Sequence, residues 1–184
     1  MPKLMAEHPE LLAQGIVEHL KDGLAKPVLA VGPPQALAEL LDRFGDGAPT
    51  LIFASTAKPK RLGPLRGAAV IRAGSLELPA AARSLGALVA VSQLDSLRGD
   101  GTLARAVEHW RLALAPRGRL VVAEALSFRP RMPALRRSRL SPEDLCGALL
   151  NAGFEGIRQT WTHPRRGYVI TTGSLRELTA RPSI

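Results

Sequence analysis

Arginine is the residue this sequence concentrates where binding chemistry could follow. Lys58, Lys60 and Arg61 lie close together; Arg129, Arg131, Arg136, Arg137 and Arg139 follow with no acid among them; Arg165 and Arg166 are adjacent. A guanidinium is planar, always charged and matched to phosphate or carboxylate. Such clusters suit the holding of an anion rather than proton transfer. Residues for covalent or acid–base work are thin by comparison. His8, His19, His109 and His163 are scattered and show no metal-ligand spacing. Ser92, Asp95 and Ser96 stand together, but no histidine is assigned near them. Cys146 is the only cysteine, so no intrachain disulfide exists, which fits a reducing compartment. Its place beside Leu145 on an amphipathic segment reads as a buried structural thiol.

The elements that must position these residues are legible from periodicity. Leu12, Ile16, Leu20 and Leu24 recur every four residues and predict a first helix over residues 6–25, stopped by Pro27. Val28 to Val31 is a short apolar run that reads as a buried strand, followed by a sharp Gly32-Pro33-Pro34 turn and a helix from Ala36 to Phe44. Further strands are expected at Thr50–Ala54, Ala68–Ile71, Ala87–Val91 and Leu120–Ala123. Between the last two, Thr102 to Leu114 is an amphipathic helix with Leu103, Val107, Trp110 and Leu114 on one face, broken by Pro116-Arg117-Gly118. Ser141-Pro142-Glu143-Asp144 opens another helix with an N-cap, a proline at the first helical position and acids in the first turn. Two strand-like runs close the pattern, Phe154–Trp161 and Tyr168–Thr172, joined too closely for a crossover and so read as a hairpin. Alternating short apolar strands and helices predict an α/β domain, its parallel sheet covered by helices on both faces.

Three stretches resemble the class I S-adenosylmethionine (SAM) methyltransferases, closest to the small quinone-biosynthesis type. Val28-Leu29-Ala30-Val31-Gly32 stands where that family has its first strand and glycine loop. Residues 108–124, through Leu114-Ala115-Pro116-Arg117-Gly118, resemble its helix, Leu-Lys-Pro-Gly-Gly turn and fifth strand. Leu140 to Leu145, followed by Leu149 to Phe154, resemble its last helix and the Ala-Gly-Phe approach to strand six. The resemblance implies a Rossmann-like seven-stranded sheet in the order 3-2-1-4-5-7-6 with strand seven antiparallel. It also implies one domain over 1–184: an N-terminal helix in 1–26 packing on the sheet, a core over 27–173 and a tail over 174–184.

The family's cofactor contacts are altered at each place. Of its Asp-x-Gly-x-Gly-x-Gly loop only Gly32 survives; Pro34 and Ala36 take later positions, and Pro33 and Pro34 remove two N–H donors and add ring bulk. The second strand should end in an acid for the ribose hydroxyls, yet Ser55 stands there and no acid lies between Asp46 and Glu77. After the third strand Ser75 replaces the acid expected near the adenine, with Glu77 close by; Gly86-Ala87 replaces the usual Phe-Asp of strand four. The expected cofactor is therefore none, or SAM if the chain is active. Two readings stand. One is a methyltransferase-like pseudoenzyme serving as a binding, regulatory or scaffolding module. The other is a divergent, active SAM-dependent methyltransferase acting on an anionic small molecule or macromolecule.

Topology puts the loops after strands two, four, five and six on one edge, the family's ligand face. The basic clusters above and Arg98 fall there, with Phe128, Trp161 and Tyr168 interleaved. The net charge is +9, and residues 51–184 carry twenty-one Lys/Arg against nine Asp/Glu. Such a face suits an acidic protein or nucleic acid, with aromatics able to stack on bases. Lys58, Lys60 and Arg61 alone would also suit a phosphate-bearing ligand. Self-association through the first helix is compatible with the pattern. The length of 184 residues suits one domain. No long apolar run predicts a transmembrane segment, and no signal-peptide pattern opens the chain, so a cytoplasmic location is expected.

Overall fold

The computed structural model describes residues 9–20, 27–33, 39–40, 51–55, 68–72, 78, 80–97, 101–125, 141–162 and 168–175. Helix α1 spans Pro9–Leu20. Strands β1 (Val28–Val31), β2 (Leu51–Ser55), β3 (Ala68–Arg72) and β4 (Leu85–Val91) follow, then a short 3-10 helix at Leu94–Leu97. Helix α2 (Thr102–Ala113), strand β5 (Leu114–Ala125), helix α3 (Pro142–Asn151) and strands β6 (Phe154–Trp161) and β7 (Tyr168–Leu175) complete the order. The seven strands form one sheet in the order β3-β2-β1-β4-β5-β7-β6. β1 pairs in parallel with β2 and β4, β2 with β3, and β4 with β5; β7 runs antiparallel to both β5 and β6.

The central strands are apolar throughout because both their faces are covered, as parallel sheets require. Along β5 the side chains alternate. Val121 and Ala123 join Leu12, Ala13, Ile16 and Leu20 of α1 on one face. Leu120 and Val122 join Leu103, Ala106, Val107 and Trp110 of α2 and Leu145 and Leu149 of α3 on the other. Trp110 is fully buried in that second core. Helix α1 lies tight against β7: a Cβ added to Gly15 would stand 2.6 Å from Ile170 Cδ1. Its last turn is tied down by Arg119 of β5, whose Nη1 donates to the His19 carbonyl at 2.5 Å, one of the acceptors a helix end leaves open.

Helix α3 starts as its first residues dictate. Ser141 Oγ accepts from Asp144 N at 3.1 Å, and Asp144 Oδ2 accepts from Ser141 N at 2.7 Å. The reciprocal pair satisfies two donors that the helix itself cannot. Pro142 sits in the first turn, where its missing N–H costs nothing.

The structure corrects three expectations. Pro116-Arg117-Gly118 does not separate helix from strand: α2 ends at Ala113 and β5 begins at once, with Leu114 paired to Leu85. The register then jumps to Ala87 opposite Arg119, so the three residues form a bulge inside the strand. Arg117 takes φ +62 there, in the place where the resembled turn has glycine. The core also does not end at 173. Ser174 pairs with Arg119 and Glu155, and Leu175 with Phe154, so both belong to β7 rather than to a tail. Third, Tyr168 is no exposed stacking platform; it is 4% exposed and lies in the α1-side core.

Candidate functional site

In an open parallel sheet, ligands gather at the carboxyl ends of the strands where the order reverses. Here the reversal is at β1, which has β2 on one side and β4 on the other. The register aligns the strand ends: Val31 is level with Ala54 and Ala90, and Val91 with Ala123. The residues that follow are Gly32, Ser55, Ser92 and Glu124, and they line this edge.

Gly32 is buried, directly after β1. A Cβ on it would stand 2.9 Å from Val91 Cβ and 3.2 Å from the Val91 carbonyl oxygen. Its missing side chain is therefore filled by β4 itself. Glycine is required here by the approach of two strands, not by an open cradle for a ligand. Ser55 is the last residue of β2, level with Arg72 of β3, so the strand ends without a carboxylate.

The turn after β4 is held from β5. Ser92 N donates to the Ala123 carbonyl at 2.8 Å, extending the ladder by one bond. Glu124 Oε1 then accepts from both Gln93 N at 2.6 Å and Leu94 N at 2.8 Å. The carboxylate thus caps the 3-10 helix from another strand, supplying the acceptor its first amides lack. Gln93, 7% exposed, donates from Nε2 to the Val91 carbonyl at 2.8 Å. This tight turn puts Ser92 at φ +50, in the left-handed region. Its Oγ is closed off from solvent and has no hydrogen-bond partner among the described residues. Among the described residues, no side chain hydrogen-bonds Ser92 Oγ to activate it as a nucleophile. The two amides that could stabilise an oxyanion are taken by Glu124, and His19 and His109 lie on α1 and α2.

The Glu124 contacts and the Ser92 conformation were not foreseen from the sequence. Glu124 was visible only as the end of a strand, and no local signal links it to residues 31 positions earlier.

Pro34, Ala36, Ser75 and Glu77 lie outside the described residues. So do Lys58, Lys60, Arg61, Arg98, Phe128, Arg129, Arg131, Arg136, Arg137, Arg139, Arg165 and Arg166. Of the aromatics assigned to the basic face, Trp161 at the end of β6 is 47% exposed. Away from the edge, Glu108 and Arg111 pair on α2 through two hydrogen bonds. Their hydrogen bond lowers the carboxyl and raises the guanidinium. Cys146 is partly rather than wholly buried, and burial, with Glu143 nearby, pushes its thiol above the ordinary range. Among the described residues no group of His, Cys, Asp and Glu could hold a metal, and no helix is long and apolar enough to cross a membrane.

No protein-family model matches the chain, and no curated protein matches it. Solved structures do. A SAM-dependent methyltransferase from Aquifex aeolicus is similar over 92% of this chain and 93% of its own, with a TM-score of 0.69 and 14% identity. The N-methyltransferase NodS from Bradyrhizobium japonicum is similar over 95% of this chain and 100% of its own, with a TM-score of 0.69 and 14% identity. The 4+2 cyclase SpnF is similar over 91% of this chain and 81% of its own, with a TM-score of 0.68 and 15% identity. The chain has the Rossmann-like fold that these methyltransferases share. At such identities the likeness speaks for the fold alone, and one neighbour is described as a cyclase, so chemistry must be argued from the site.

Proposed function

We propose that this chain is a methyltransferase-like pseudoenzyme that does not hold SAM productively and works as a binding or regulatory module through its arginine-rich edge. The observation that carries this reading is Gly32. In a cofactor loop its missing Cβ should leave room for ligand, whereas here Val91 occupies that room at 2.9 Å. Ser55 at the end of β2 leaves the ribose hydroxyls without a carboxylate. The first amides after β4 are taken, that of Ser92 by the Ala123 carbonyl and those of Gln93 and Leu94 by Glu124, and are not free for a ligand. These residues do not fit SAM.

The arginine clusters after strands two, five and six then supply the positive edge. Its partner is an acidic protein or a nucleic acid, drawn by charge and released by salt. The degenerate family positions Pro34, Ala36, Ser75 and Glu77 belong to the same reading. The alternative is an active, divergent SAM-dependent methyltransferase with an anionic substrate. It is supported by the methyltransferase neighbours, which match over nearly the whole chain.

Calorimetric titration with S-adenosylhomocysteine at near-physiological salt separates the two. The pseudoenzyme reading expects no binding up to about millimolar ligand, a free energy no better than about −4 kcal/mol. Saturable micromolar binding would overturn it and favour the enzyme.

A further inference from the structure

β6 ends the sheet, and no described strand pairs with its outer side. The ladder to β7 sets the direction of its backbone. Thr162 N donates to the Tyr168 carbonyl at 3.0 Å. Antiparallel pairing alternates, so Trp161, one residue earlier, turns its N–H and C=O to the outer side. The side chains divide by face. Ile157 packs on the core formed with α2 and α3, and alternation puts Trp161, 47% exposed, on that same face. Arg158 and Thr160, both exposed, lie on the α1 face, opposite Thr172 and Ile170. That face is positive: the pKa of His19 is lowered by burial and then by Arg119 and Arg158, against Glu18. Glu155, the acid of β6, lies beyond the bulge, in the row of Ser174 and Arg119.

We propose that the outer edge of β6, from Arg158 to Trp161, docks an extended acidic segment of a partner protein, added antiparallel to the sheet and alternating carboxylate with apolar side chains. Strand addition takes affinity from the backbone ladder and specificity from alternate side chains. A residue set opposite Trp161 shares its face and points its N–H at β6, so it is apolar. Its neighbours fall on the Arg158 face, so they are acidic. The net charge of +9, with Arg165 and Arg166 in the link that follows β6, draws the same sign of partner. A second copy would bring its own Arg158 and a further +9, and a nucleic acid has no peptide backbone with which to extend the ladder. The inference rests on the binding-module reading for the partner's charge. The edge of β6 is remote from β1 in the strand order, so S-adenosylhomocysteine titration leaves it untouched whatever its result.

The test uses the full chain, isotope-labelled, at near-physiological salt, titrated with a short end-blocked peptide of alternating glutamate and valine. The Trp161 amide is expected to shift saturably and to gain protection from exchange. Emission should move to the blue as Trp161 is covered, since Trp110 is fully buried already. The same peptide with lysine for glutamate should not bind. Methylating the valine nitrogens removes the donors that face β6 and should abolish binding, whereas methylating the glutamate nitrogens, which face away, should leave it. Arg158 is exposed, so Arg158→Glu should keep the fold, weaken the acidic peptide about tenfold and admit the lysine peptide, one pair being lost and one repulsion gained. Shifts centred outside β6, indifference to valine methylation, or unchanged binding in Arg158→Glu would each overturn the proposal. So would no binding at all, the result expected if the chain's own tail or a second copy covers the edge. A single-stranded thymidine oligonucleotide that displaced the peptide from Trp161 would assign the edge to nucleic acid instead.

Discussion

Replacing Gly32 by alanine tests why the edge keeps that glycine. The added methyl would meet Val91 Cβ at 2.9 Å and the Val91 carbonyl oxygen at 3.2 Å. Neither atom is the far end of a flexible side chain. One is the branch point of a β-branched residue in a central strand, and the other is backbone. Relief therefore needs β1 and β4 to move apart in a core where Val31, Ala90 and Val91 are all buried. Overpacking of this kind costs about 1–3 kcal/mol. Against it stands a gain of about 0.4–1 kcal/mol, because alanine restricts the unfolded chain more than glycine. The balance is a loss of up to about 2.6 kcal/mol, a fall in Tm of up to roughly 10 °C at this size. Gly147→Ala is the matched control. Gly147 lies in α3 with nothing within 4 Å of an added Cβ, so the same change should raise stability by about 0.8–1 kcal/mol. Urea denaturation of both variants, with equal m-values, gives the comparison. If Gly32→Ala matched or exceeded the parent protein in stability, the close approach of β1 to β4 would not be what demands glycine.

Other expectations follow from contacts already described. Glu124→Ala should cost about 1.5–3 kcal/mol, because two buried-side amides lose a charged acceptor; hydrogen exchange at Gln93 and Leu94 should accelerate far more than at Val121. The pKa of His19 is lowered, chiefly by burial, with Arg119 and Arg158 adding and Glu18 opposing. A depressed value means that the unfolded state binds the proton more readily. The stabilisation is therefore present above the unfolded value of about 6.5 and is lost as pH falls through the folded one. Tm should drop over that acid window, and His19→Gln should flatten the drop. Cys146, its thiol raised by burial and by Glu143, should alkylate more slowly than a free thiol at neutral pH. Its rate should climb only above the ordinary thiol range, and reaction at the free rate would contradict its half-buried place.

The frame was legible because its signals are local. The run Val28–Val31 has no polar interruption, and Ser141-Pro142 with Asp144 spells a helix start. Where the sequence misled, tertiary pairing overrode local punctuation. Pro116-Arg117-Gly118 reads as a break, yet the neighbouring β4 holds those residues in the sheet through a register jump. Gly173 and Ser174 are weak strand formers, yet Gly173 pairs with Leu120 of β5, and Ser174 pairs with Arg119 of β5 and Glu155 of β6. At the edge, the position of Gly32 was legible but its reason was not. A glycine that yields to ligand and one that yields to a valine look alike in sequence. Ser92 was visible as one hydroxyl among several, and its strain arises from Glu124, thirty-two residues further on.

The antiparallel strand has a consequence for how the molecule is made. A ribosome delivers β5 and β6 before β7, yet β7 lies between them. Until residues 168–175 emerge, β6 has no neighbour to pair with, and the open side of β5 presents unpaired backbone beside Val121 and Val122. Both are the kind of naked edge that recruits other chains. A translation product interrupted before Tyr168 would thus carry two sticky borders and depend on chaperones or be degraded. Completion of the sheet is a late, single event, in which one strand closes two gaps at once.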